Sequence, residues 1–289
     1  MFPQKIKIIL GKSLFMFLFA TGFASCSSDN KNQPDYSLSE EKQASGTKKG
    51  ASVENVFYNI PSPVETASML KKAVATYDKD ILNPIENKDK YSIHSSRALN
   101  LGVYGTDLGY TTIFDKSQES MLYLACAKKL ADELRITSAF DDAKVERMEA
   151  NMNNRDSLLN IISVSYQEMD AYLQESDRDN ISILITAGGW IEGLYIAMEI
   201  EKSLRKTNNN QDIIKRISEQ KFSLENLIVL LESTGKDELA INLAAELKEL
   251  KLIFDGTVST EAENNNSITQ EQVNNIADKI GKIRTGIIQ

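Results

Sequence analysis

Apolar residues recur along this chain at three- and four-residue spacing, and no stretch alternates apolar and polar positions for long. That period belongs to helices burying one face. Prolines stand at 3, 34, 61, 63 and 84 and none follows, so 205 residues lack the strongest helix breaker. Ser62-Pro63-Val64-Glu65 is a capping box with Pro at its first helical position, predicting a helix over 62–77. Further helices are expected over 92–114, over 115–136 with Asp115 as N-cap, and over 141–176, broken near Asn151-Met152-Asn153-Asn154. A long helix over 179–205 follows, then two short ones over 211–220 and 223–233. Gly235 stops the chain before a helix over 237–254 with Leu239, Leu243, Leu247, Leu250 and Phe254 on one side. Thr269 with Gln272 forms a second capping box and opens a last helix with the stripe Val273, Ile276, Ala277, Ile280 and Ile283. The expected class is all-α, a multi-helix bundle or short helical array, with short loops implying antiparallel neighbours. The polar linker before the last helix suggests that this helix packs loosely.

Six of the ten glycines after residue 50 fall in two helices, Gly102, Gly105 and Gly109 in one and Gly188, Gly189 and Gly193 in the other. Glycine inside a helix costs about 1 kcal/mol relative to Ala, so close packing must compensate. Gly102, Gly105 and Gly109 lie within about 60° of arc on a 3.6-residue helix. The pairs Gly105–Gly109 and Gly189–Gly193 have the GxxxG spacing that lets a second backbone approach. Both helices are apolar nearly all round, which places them at the centre of the bundle, packed on each other. Their similarity hints at an internal duplication. The run 181–198 is at the short end for a membrane span and carries Glu192 mid-span, so it reads as a core helix.

The start of the chain follows a different grammar. Lys5, Lys7 and Lys12 precede an apolar stretch from Leu14 to Ala20, with no acid before it. Charged, apolar and small residues in that order make a secretory signal, too short to span a bilayer. It ends in Phe23-Ala24-Ser25-Cys26, which resembles the lipobox of bacterial lipoproteins, with Phe and Ser standing where Leu and Gly or Ala are commoner. The resemblance implies transfer of a diacylglyceryl group to the Cys26 thiol, cleavage before Cys26 and acylation of the new amine, with palmitate-like chains anchoring the protein to a membrane. Ser27, where Asp would favour inner-membrane retention, points to the outer membrane. Residues 1–25 thus read as signal peptide and 26–50 as acylated Cys and disordered tether, a coil reaching roughly 25–30 Å. Residues 51–256 are the helical bundle, and 257–289 the polar linker and a C-terminal helix packing on it.

The chain has 289 residues, 42% apolar and 26% charged, with a net charge of -8 that becomes -11 once the three signal lysines are removed. An acidic body argues against a nucleic-acid partner. One His and two Cys cannot build a His and Cys zinc site, and no cofactor is implied. Cys126, flanked by apolar residues, reads as a buried filler, and His94 as a helix-start residue.

Each glycine-rich helix carries one inward acid, Asp107 near Val103 and Phe114, and Glu192 between Ile185, Gly188 and Ile196. Two readings are open. Asp107 and Glu192 with Tyr104, Tyr110, Trp190 and Tyr195 form a ligand cleft suited to a cation or sugar, or the acids are a buried polar pair satisfied by caps, tyrosines or an arginine. A cavity between the helices discriminates. No nucleophile elbow or metal motif is present. The expectation is therefore a non-enzymatic, lipid-anchored module of a bacterial envelope with a protein partner. A ligand-binding lipoprotein is the alternative and an envelope enzyme the least favoured.

Overall fold

Three helix ends set the geometry of the first half of the bundle. α1 (His94–Ile113), α2 (Ser117–Glu133) and α4 (Arg155–Glu175) each stop at a residue in the left-handed region, Asp115 (φ 55°), Arg135 (φ 57°) and Asp177 (φ 54°). At each stop two amides turn back onto the last carbonyls, as where Asp115 N–H bonds Thr112 O and Lys116 N–H bonds Thr111 O. Arg135 and Ile136 repeat this on Asp132 and Ala131, and Asp177 and Arg178 on Gln174 and Leu173. This is the Schellman closure, which normally favours glycine. Asp115 therefore ends α1 and does not cap α2, whose N-cap is Lys116 without a side-chain bond. Its carboxylate reaches Arg155 instead.

The computed structural model describes residues 76–136, 140–206, 210–235, 237–256 and 268–289. All lie in one compact unit, residues 46–289. The signal, Cys26, the tether, most of the helix expected over 62–77 and the polar linker fall outside the described residues. Thr76, Tyr77 and Asp78 themselves are not helical.

The fold is an all-α bundle. A 3-10 turn (Ile85–Asp89) precedes α1, and α3 (Asp142–Ala150) is separated from α4 by the 151–154 break. Asn154 caps α4 through Ser157 N–H. α5 spans Asp179–Arg205 and α6 is one helix over Gln211–Ser233. Two short helices were expected there. Lys221-Phe222-Ser223 holds neither Gly nor Pro, so nothing interrupts the backbone bonds. α7 (Glu238–Asp255) opens on Asp237, which accepts from Leu239 and Ala240 N–H. α8 (Gln270–Ile288) opens on the complete Thr269–Gln272 capping box.

α1 and α5 form the centre and pack on each other along most of their length. Sixteen residues of α1 and nineteen of α5 are buried, so neither has a solvent face to speak of. α5 is long and apolar enough to cross a membrane, but the bundle itself covers it. α2 lines α1, α4 covers both central helices, α6 lies on α5, and α7 packs on α6 and α8.

The contact register rises together on the two central helices. Leu99 meets Gly188, Gly102 meets Ile185 and Gly189, and Thr106 Oγ1 bonds Gly189 O. They therefore run in the same direction, which the antiparallel expectation for helices joined by short loops does not address, since three helices separate them in the chain. The crossing is reciprocal. A Cβ on Gly102 would lie 1.9 Å from Ile185 O, and one on Gly188 would lie 1.9 Å from Leu99 O. Each glycine thus faces the carbonyl three residues before the other. Gly105 has a different task, since its missing Cβ makes room for the Tyr166 hydroxyl of α4, which bonds Leu101 O at 3.0 Å.

Candidate functional site

The end of α8 completes the middle of the bundle. Arg284 lies four residues after Ile280 on the stripe of α8 that otherwise buries Val273, Ile276 and Ala277. Its guanidinium enters the core at 7% exposure and meets Glu192, which is fully buried. Nε donates to Oε2 at 2.7 Å and Nη2 to Oε1 at 2.8 Å, a two-pronged charge-assisted pair. Nη2 also donates to Ile81 O at 2.9 Å, and the guanidinium stacks 4.1 Å above the Tyr195 ring. Burial alone would make Arg284 easier to deprotonate, but Glu192 more than offsets this and holds it more firmly cationic than a free arginine.

Asp107 is fully buried on α1, where the charge of Glu192 bears on it. Its Oδ2 accepts the Asn83 N–H at 3.2 Å, while Oδ1 has no donor. Burial first, then the negative charge of Glu192, pushes its pKa well above the usual carboxylate range. Asn83 extends the cluster. Its Nδ2 bonds the Tyr91 hydroxyl at 3.0 Å, its Oδ1 accepts from Asn87 at 2.8 Å, and its carbonyl accepts from Tyr123 at 3.2 Å. Asn87 and Tyr91 then donate to Ile288 O, and Asn100 donates to Ile287 O at 2.8 Å. The C-terminal helix is therefore bound tightly and not loosely. Its tip is the acceptor of a buried amide network, and its arginine is the counter-charge of the core.

Of the aromatic residues expected around the acids, Tyr195 stacks on the arginine that pairs with Glu192. Tyr104 is buried and donates to Pro84 O at 2.9 Å. Trp190 turns to α6, where Nε1 bonds Gln220 Oε1 at 3.1 Å. The Tyr110 hydroxyl accepts from Asp78 N–H at 3.1 Å, and its ring stacks on Tyr77 with centroids 5.5 Å apart. Cys126 is buried, with its thiol pushed up to about 11 by burial, and His94 is exposed at the start of α1.

A cavity of about 260 Å³ does open between the central helices, but at their C-terminal ends. Tyr110 lines it with Thr76, Tyr77, Asp78 and Ile81, and Glu199, Ile200 and Ser203 of α5 face them. Asp107 and Glu192 are not among its walls. Among the described residues no three His, Cys, Asp or Glu side chains are grouped to hold a metal ion.

Comparison with protein families, curated proteins and solved structures finds no match. The geometry stands alone. Sequence reasoning found both acids but missed Arg284, Asn83 and Asn100. The available signal for Arg284 was a charge lying on an apolar stripe. For Asn100 it was an amide inside a helix apolar nearly all round.

Proposed function

We propose that this chain is a lipid-anchored, non-enzymatic protein of a bacterial envelope, held at a membrane through acylated Cys26 and serving as a structural or protein-interaction module. The observation that carries the reading is Phe23-Ala24-Ser25-Cys26 at the end of a lysine-led apolar stretch. Several acyl chains are needed for firm attachment, since a single chain binds marginally. The net-acidic body is repelled by anionic lipid and so does not substitute for them.

The interior supports a non-catalytic role for the two acids. Glu192 gives both oxygens to Arg284, and neither carboxyl lines the 260 Å³ cavity. For a protein partner, α6 and α7 offer Phe222 and Leu252, 67% and 69% exposed. Both stand one residue from the ion-pair row Lys221–Asp255 and Glu225–Lys251. Ser27 favours the outer membrane as the site of attachment.

The test is Cys26→Ala in the full chain, followed by cell fractionation and mass spectrometry of the native N-terminus. Loss from the membrane fraction and a wild-type diacylglyceryl mass support the anchor. An unmodified wild-type N-terminus downstream of Cys26 refutes it.

A second reading rests on the 260 Å³ cavity. Tyr77 and Tyr110 with Asp78 and Glu199 suit a small cationic ligand. Glu199→Gln should then weaken stabilisation of the protein by such cations, whereas an unchanged melting curve across a cation panel removes the reading.

A further inference from the structure

We propose that Asp107 is a proton-binding site of the folded chain, standing as the neutral acid at neutral pH beside the Glu192 carboxylate. Oδ2 of Asp107 takes the Asn83 N–H, and both oxygens of Glu192 take Arg284 N–H groups. Oδ1 is left without a partner in a fully buried side chain. Burial of an unpaired carboxyl oxygen and a second carboxylate nearby both favour the neutral acid. The two-pronged arginine pair keeps the charge on Glu192, so the proton belongs to Asp107.

The surroundings agree. Glu192 from α5 and Arg284 from α8 are the charged groups that bear on Asp107. The segment before α1 contributes the Asn83 N–H and the phenols of Tyr77 and Tyr91, and α1 itself contributes Tyr104 and Tyr110. Tyr123 and Cys126 face it from α2, and Tyr166 from α4. Burial raises the pKa of every one of these phenols and of the thiol, so all are neutral. With Asp107 protonated the cluster carries one anion and one cation. Ionised, it would hold an uncompensated negative charge away from water.

The sign follows from proton counting. The folded chain binds this proton more tightly than the unfolded chain. The stabilisation is complete below the ordinary aspartate range. It declines as pH rises from there to the native pKa, with about a tenfold increase in the unfolding constant per pH unit. Asp107→Asn keeps an acceptor for Asn83 N–H but holds no titrating proton. Urea unfolding of the full chain and of D107N is compared from about pH 5 to neutral pH. The wild-type unfolding constant should climb about tenfold per pH unit relative to that of D107N. A ratio independent of pH overturns the proposal. Infrared spectroscopy of the wild type in heavy water at neutral pH, where exposed carboxyls are ionised, stands even if D107N fails to fold. A protonated carboxyl C=O band must persist there, and its absence overturns the assignment.

Discussion

Replacing Arg284 by Met removes one charge from a place where the other has nowhere to go. Glu192 is fully buried and loses both donors, at 2.7 and 2.8 Å, while Ile81 O loses its donor at 2.9 Å. Truncating one partner of a buried pair costs about 3–5 kcal/mol, and stranding a buried carbonyl adds about 1 kcal/mol. The expected loss is roughly 4–6 kcal/mol, against a total stability of about 5–15 kcal/mol for a native protein. Urea unfolding followed by far-ultraviolet circular dichroism should show the midpoint falling by about 2 M, taking a slope of about 2–3 kcal/mol per M. Arg284→Met on its own does not separate a charge effect from a packing effect. The double variant E192Q/R284M does, because a neutral amide at 192 no longer needs the cation. It should recover most of the lost midpoint. If R284M shifts the midpoint by less than about 0.5 M, or E192Q/R284M is no better than R284M, the pair is not the electrostatic centre of this core.

Gly102→Ala should destabilise by about 3 kcal/mol or more, because its methyl would lie 1.9 Å from a backbone carbonyl that cannot step aside. Gly281→Ala, with nothing within 4 Å of the new Cβ, should stabilise by up to about 1 kcal/mol, and thermal unfolding of the two variants checks the contrast. Arg135→Gly relieves a left-handed residue at an exposed helix end and should raise stability by up to about 1 kcal/mol in the same assay. Cys126, buried and with its pKa raised to about 11, should resist thiol reagents at about pH 8 in the native protein and react once urea unfolds it.

Periodicity and capping residues made most of the helices legible. The Thr269–Gln272 box and Asp237 mark their helix starts, and Gly235 (φ 74°) turns the chain where expected. Asp115 shows where local reading fails. A short acid between two helices fits either boundary, and only the bonds from Asp115 and Lys116 back to α1 decide the assignment. The glycines were legible as sites of close approach, but the different tasks of the individual positions were not. Gly102 and Gly188 carry the backbone crossing, whereas Gly105 admits a tyrosine. Asp107 and Glu192 were recognisable as inward acids because their helices are otherwise apolar. Their partners were not, since Asn83 lies 24 residues from Asp107 and Arg284 lies 92 from Glu192. No local period encodes a pairing at that range.

That 92-residue gap orders the events of synthesis. While a ribosome makes this chain, α1 and α5 emerge long before the cation that neutralises Glu192. Any early collapse must bury an acid without its partner or leave the middle open. Final closure therefore waits for α8, and a nascent chain stalled before residue 284 should remain soft at its centre and accessible to proteases and chaperones.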